Sequence, residues 1–147
     1  MLVKDWEIKN ASYEDADFFL NSFREIYGHH FDVFFFVEFF KKKINSPHSI
    51  LCVAVNSNGN RIGCFVCEKQ ELFQDLKPVL QIKEFYISPK YRKLKLADDI
   101  YAYIEQKAFE IGFSRIEVMC NIKATTTHNF YRRKKFEADK KLYTKSL

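Results

Sequence analysis

The chain has 147 residues, 47% hydrophobic and 29% charged, which excludes a disordered polymer and fits one domain, 1–147, with a sizeable core. Its formal net charge of +5 suits an anionic cofactor or nucleic acid without identifying either. The aromatic run Phe34 to Val37 stops at Glu38 and no segment approaches the length of a membrane span, so no membrane partner is expected.

Val3 to Asn10 alternates as a first strand, and the residues after Met1 lack the basic start and long apolar stretch of a secretory leader. A cytoplasmic protein is expected. Ser12 and Asp15 have capping-box spacing, and Ala16, Phe19, Leu20, Phe23 and Tyr27 share one face of a first helix that should stop near Gly28. A second helix spans Asp32 to Ile44, its three terminal lysines favourably placed at the C-terminus of the macrodipole. Phe31, Phe34, Phe35 and Phe39 are expected in the core or in a homodimer surface rather than in a ligand cage.

"ILCVAV" and "RIGCFVCE" flank "NSNGN", which predicts a hairpin. Cys64 and Cys67 lie three apart in one strand and so should point to opposite faces; the four cysteines are expected as buried reduced thiols, with no metal. "VLQIKEFYIS" from Val79 is a long strand stopped by Pro89, and strict alternation puts Leu80, Ile82, Glu84 and Tyr86 on one face. A helix from Leu96 to Ile111 buries Ala97, Ile100, Tyr101, Ile104, Ala108 and Ile111 and ends at Gly112. "SRIEVMC" follows as a strand, with Ile116, Val118 and Cys120 on one face. A short helix from Thr127 to Lys134 and a last strand from Ala138 to Tyr143 complete an α/β fold with a mixed sheet.

The connection "YRKLKLADDI" joins a strand to a helix, where free amides and the helix dipole can hold a phosphate. Such loops are usually glycine-rich, and this one is basic; the plainer reading is a capped helix with solvated lysines. "ISPKYRKLKLADDIYAYIEQKAFEIGF" resembles motif A of the GNAT superfamily of acetyl-CoA-dependent N-acetyltransferases. In the family's [QR]-x-x-G-x-[GA] loop, Arg92 takes the first position, Lys95 stands where glycine is usual, and Ala97 matches the last. "NIKATTTHNFYRRKKFEADKKLYTKSL" resembles the family's C-terminal motif F-Y-x-x-x-G-F, matched by Phe130, Tyr131 and Phe136, with Lys135 in the place of glycine. Within the superfamily, "GHHF", "KEFYISP", "NIKATTTHNFY" and "YTKSL" resemble aminoalkylphosphonate N-acetyltransferases.

The resemblance implies a mixed, mostly antiparallel sheet with helices on both faces, and acetyl transfer from acetyl-CoA to a primary amine of a small molecule by direct attack. It implies Glu84 as general base, a role that apolar neighbours favour by raising a carboxylate's pKa, and Tyr131 as general acid. It places the cofactor phosphates on Arg92, Lys93, Leu94, Lys95, Leu96 and Ala97, and its pantetheine arm against the backbone of Phe85, Tyr86 and Ile87 with Asn121 and Asn129 nearby. Lys95 is compatible with that loop if its backbone stays αR and its side chain points outward, and incompatible if the loop needs a positive φ there. The acceptor would meet His29, His30 and Phe31, where the two N-terminal helices join. Structural readings stand beside each role: an ion pair for Glu84, packing for Tyr131, a polar helix end for the histidines. The rival functions are acetylation of a protein or aminoacyl-tRNA amine, or a non-catalytic module binding CoA or nucleic acid. Lys41 to Lys43 and Arg132 to Lys135 would attract the RNA of a macromolecular acceptor, the two missing glycines motivate the non-catalytic reading, and nucleic acid is the less favoured partner.

Overall fold

The computed structural model describes residues 5–28 and 30–147. One sheet has the order β1 (Trp6–Asn10), β2 (Ser49–Asn56), β3 (Arg61–Glu71), β4 (Pro78–Ile87) and β5 (Ile116–Val118). The first four strands are antiparallel neighbours, and β5 runs parallel to β4. Helices α1 (Ala16–Tyr27) and α2 (Val33–Ile44) pack on one face, where Phe19 and Phe40 meet Leu51, Cys64 and Val66. On the other face α3 (Leu96–Ile111) and α4 (Thr125–Arg133) pack Leu96, Ile100, Ile104 and Tyr131 against Cys52, Phe65 and Leu80. The mixed sheet with helices on both faces is thus observed. Val3 and Lys4 of the expected first strand lie outside the described residues.

Local chemistry sets the element ends. The Ser12 amide donates to Asp15 Oδ2 at 2.8 Å, and buried Asp15 also accepts from Arg61 Nε at 2.5 Å, so the start of α1 is tied to β3. Gly28 ends α1 at φ 67 and Gly112 ends α3 at φ 93, a conformation that costs a residue with a Cβ. Cys64 and Cys67 face opposite helical layers, and burial pushes the Cys64 thiol up to about 12, which leaves it an inert packing group.

Strict alternation fails on β4. Cys67 pairs with Ile82 and Val66 with Glu84, so Lys83 is an extra residue with no partner in the ladder. This bulge resets the parity: Leu80 and Ile82 face α3, whereas Glu84 lines a cavity beside Val66, and Tyr86 joins the α1–α2 layer. The expectation that these four share one face is therefore corrected. Three further expectations change. Of the two places expected for Phe34, Phe35 and Phe39, the core is ruled out, since they are 67%, 71% and 57% exposed while α2 turns Phe36 and Phe40 inward, and Phe35 and Phe39 instead line a cavity with Phe31. Ile111, at the end of the α3 stripe, is exposed, and Cys120 lies beyond the three-residue β5. The last strand does not form: residues 136–147 have no regular structure, and Leu142 and Tyr143 stay exposed. Glu137, Asp139, Lys140 and Lys141 leave it no apolar face to bury, and its recorded ion pair is Lys140 to Glu117 at 3.6 Å.

Lys135 follows α4 with φ 70, in the left-handed region. That conformation costs a non-glycine residue about 1 kcal/mol. Lys135→Gly is expected to raise the stability by about 0.5 kcal/mol at most after the extra freedom of glycine in the unfolded chain is counted. For a chain of this size that is a rise in Tm of about 1–2 °C, read by calorimetry.

Candidate active site

The bulge at Lys83 delivers Glu84 to the wall of a half-open cavity of about 540 Å³ lined by α1, α2, β2, β3 and β4. The Tyr27 hydroxyl, from the last turn of α1, donates to Glu84 Oε1. Burial raises the pKa of Glu84, while the Tyr27 hydrogen bond and the Lys83 charge act in the opposite direction. A half-buried carboxylate held in this way is oriented and more basic than a surface glutamate. Phe31 stands in the same wall, its ring 6.2 Å from that of Tyr27 and 5.7 Å from that of Phe36. His30 is exposed, and His29 lies outside the described residues.

A second group closes the end of β4. The Tyr86 hydroxyl donates to Glu25 Oε2, and Arg92 Nη2 donates to Glu25 Oε1 at 2.7 Å. The Tyr86 bond, then the Arg92 guanidinium, hold Glu25 below the ordinary carboxylate range against the opposing effect of burial. Burial pushes the Tyr86 phenol up to about 12, with the Glu25 charge adding to it. Arg92 also donates through Nε to the Ile87 carbonyl at 2.9 Å, and its guanidinium lies 5.7 Å from the Tyr86 ring centroid. Arg92 thus fastens the loop to α1 and β4. Glu25 and Tyr27 were missed in the sequence, where Tyr27 reads as one more member of the apolar stripe and Glu25 as solvated polar face; no spacing ties either to β4.

The loop itself suits an anion. Lys95 caps α3 with φ −77 and ψ 10, and no residue from Arg92 to Ala97 has a positive φ. The backbone of the loop therefore needs no glycine for its conformation. The first α3 amide with a backbone acceptor in this segment is Asp99, bonded to the Lys95 carbonyl at 3.0 Å. Among the described residues, the amides of Lys93, Lys95, Leu96, Ala97 and Asp98 have no recorded acceptor, and α3 adds its dipole. The two acids of the first turn are engaged elsewhere: Asp98 accepts from Lys134 Nζ at 2.6 Å, and Asp99 accepts from Trp6 Nε1 at 2.8 Å.

Between loop and cavity the sheet opens. β5 pairs with β4 only through Leu80, Gln81 and Ile82, so from Lys83 to Ile87 one edge of β4 has no strand beside it. Phe85, Tyr86 and Ile87 lie along this open edge, as expected for a segment that binds an extended arm. Across it, α4 presents Tyr131, buried between Phe130 and Phe136 with ring centroids 5.2 Å away in each case. Burial, the largest cause, raises the pKa of this phenol and keeps it protonated. Asn121 turns inward to the backbone: its Oδ1 accepts from the Lys123 amide at 2.9 Å, and its carbonyl meets His128 Nε2 at 2.8 Å. Asn129 is exposed on α4. The structure therefore brings Glu84, Tyr27 and Phe31 together on one side of the sheet opening and Tyr131 on the other, while Asn121 shapes the entry to α4.

An open strand edge, an amide-rich helix start and a carboxylate in an adjacent cavity lie together at one end of β4. The sequence model of the Acetyltransferase (GNAT) family matches residues 16–136, and the chain belongs to that family. It is an N-acetyltransferase by this membership and by its likeness to a curated enzyme. That relative, aminoalkylphosphonate N-acetyltransferase of Salmonella typhimurium (strain LT2), is 25% identical over 141 residues, covering 96% of this chain and 91% of the relative. The fold is similar to AAC(6')-Iy in complex with the bisubstrate analog CoA-S-monomethyl-acetylneamine, with a TM-score of 0.84, 13% identity, and coverage of 98% of this chain and 99% of the other. It is also similar to the aminoglycoside acetyltransferase meta-AAC0020 from an uncultured soil metagenomic sample, in complex with sisomicin, with a TM-score of 0.79, 17% identity, and coverage of 97% and 95%. Among the described residues no helix is long and apolar enough to cross a membrane.

Proposed function

We propose that this protein moves the acetyl group of acetyl-CoA to a primary amine of a small molecule by direct attack. The observation that carries the reading is the placement of Glu84 beside the unpaired edge of β4. Acetyl-CoA would supply an activated acetyl thioester. Its phosphates fit the amides from Lys93 to Asp98 and the side chains of Lys93 and Lys95, and its pantetheine arm fits the edge of Phe85, Tyr86 and Ile87.

Glu84 accepts a proton from the acceptor ammonium and frees the nitrogen lone pair. As the N–C bond forms, backbone N–H groups of Phe85, Tyr86 or Ile87 meet the negative charge developing on the acetyl oxygen. Tyr131 donates its proton to the sulfur as the C–S bond breaks; the second proton shed by the nitrogen as the amide forms restores the phenol, and Glu84 releases its own to solvent. Burial raises the pKa of this phenol, so it is protonated and able to donate. Tyr27 orients Glu84, and Arg92 with Glu25 holds the loop at the end of β4. The basic clusters that would serve an RNA acceptor are partly spent on Glu68 and Asp98, which favours a small molecule.

The first test is the melting temperature of the protein titrated with acetyl-CoA, dephospho-CoA and AMP. A saturable rise with acetyl-CoA, absent with AMP, is expected, at about 2.7 kcal/mol of added stability when the ligand reaches 100 times its Kd. No shift at millimolar acetyl-CoA would overturn the cofactor assignment.

A further inference from the structure

The wall of the cavity beside Glu84 is built from seven phenylalanines and Tyr27. Phe23 and Phe36 stand 5.9 Å apart and Phe31 and Phe36 5.7 Å, and the series runs through Tyr27 to the carboxylate. A volume of about 540 Å³ lies in the range that holds drug-sized ligands, far more than a two-carbon aminophosphonate fills.

The charges point the same way. Of the two cations on the wall, Lys43 is held by Glu68 at 2.5 Å, and Lys83 sits beside Glu84. Asp32 accepts from the Phe35 amide at 3.0 Å. A phosphonate needs several donors, best supplied by guanidinium forks, and this wall has none among the described residues. A sugar would bury hydroxyls without partners, at about 1–3 kcal/mol each. Aromatic faces and a carboxylate instead suit a cation with an apolar body. The wall already shows that pairing, with the Lys43 ammonium 5.3 Å from the Phe39 ring centroid.

We infer that the acceptor is an arylalkylamine: an ammonium that reaches Glu84, on a short chain whose aromatic ring fills the phenylalanine wall, with no anionic group. The inference rests on the acetyl-transfer reading above and departs from the phosphonate chemistry named for the curated relative.

The test compares phenethylamine and tryptamine with 2-aminoethylphosphonate. CoA release is followed with acetyl-CoA, and amine binding to the CoA-loaded protein is measured by calorimetry, which needs no turnover. The aryl amines should exceed the phosphonate at least 100-fold in kcat/KM, and Phe31→Ser should raise the KM for phenethylamine about tenfold with kcat little changed. The opposite order would overturn the inference while leaving acetyl transfer standing. It would direct attention to Arg24, whose Nε is buried without a partner. Aryl amines that bind without being acetylated would support the inference and overturn the catalytic roles instead. Failure of the aryl amines to bind would overturn the inference.

Discussion

Glu84→Gln should lower kcat/KM by about 10²- to 10³-fold and remove the acidic limb of its pH profile, while Tm stays within about 1 °C. General-base catalysis is typically worth 10²–10⁴ in rate. Glutamine has the same shape and its amide oxygen still accepts from Tyr27, so folding is spared. The sign of the pH effect follows from the environment. Burial, the dominant influence, raises the Glu84 pKa, so the wild-type limb should lie above the ordinary carboxylate range. Below that limb Glu84 is protonated and cannot accept the amine's proton; above it the site is active. The Tyr27 hydroxyl favours the ionised form, so Tyr27→Phe should move the limb to higher pH without abolishing it. An unchanged profile in Glu84→Gln would mean that the base lies elsewhere.

The position of Glu84 was only partly legible in the sequence. Apolar neighbours on β4 mark Glu84 as unusual, and periodicity finds the strand. Periodicity cannot find the bulge, because Lys83 is an ordinary polar residue whose lack of a partner is visible only against β3. The two faces of the sheet have different work, packing α3 on one side and bounding the cavity on the other, and the extra residue moves Glu84 from the first to the second. The loop shows the converse. Its glycine consensus is broken at Lys95, where the backbone keeps a negative φ that a residue with a Cβ adopts without strain. At Lys135 the consensus is right about geometry, since φ is 70, and the chain bears the strain. Helices α1 and α3 were legible from caps and stripes, whereas the aromatic density of α2 hid which rings face in. The pair Tyr27–Glu84 joins residues 57 apart in sequence, and no local pattern encodes it.

Tyr131→Phe separates catalysis from packing, since both readings predict a folded protein and only one predicts loss of turnover. The ring is buried against Phe130 and Phe136, and phenylalanine preserves those contacts, so Tm should change by less than about 2 °C. If the phenol donates the proton that lets sulfur leave, kcat should fall about 10²-fold or more while the KM for acetyl-CoA stays nearly constant, because the interaction is made only as the C–S bond breaks. Burial raises the pKa of this phenol. The hydroxyl therefore stays protonated through the neutral range, so the variant should lose rate evenly from pH 6 to 9 rather than at one end. A kcat equal to wild type would show that Tyr131 serves only to seat α4 on the sheet, and that the leaving sulfur takes its proton from water.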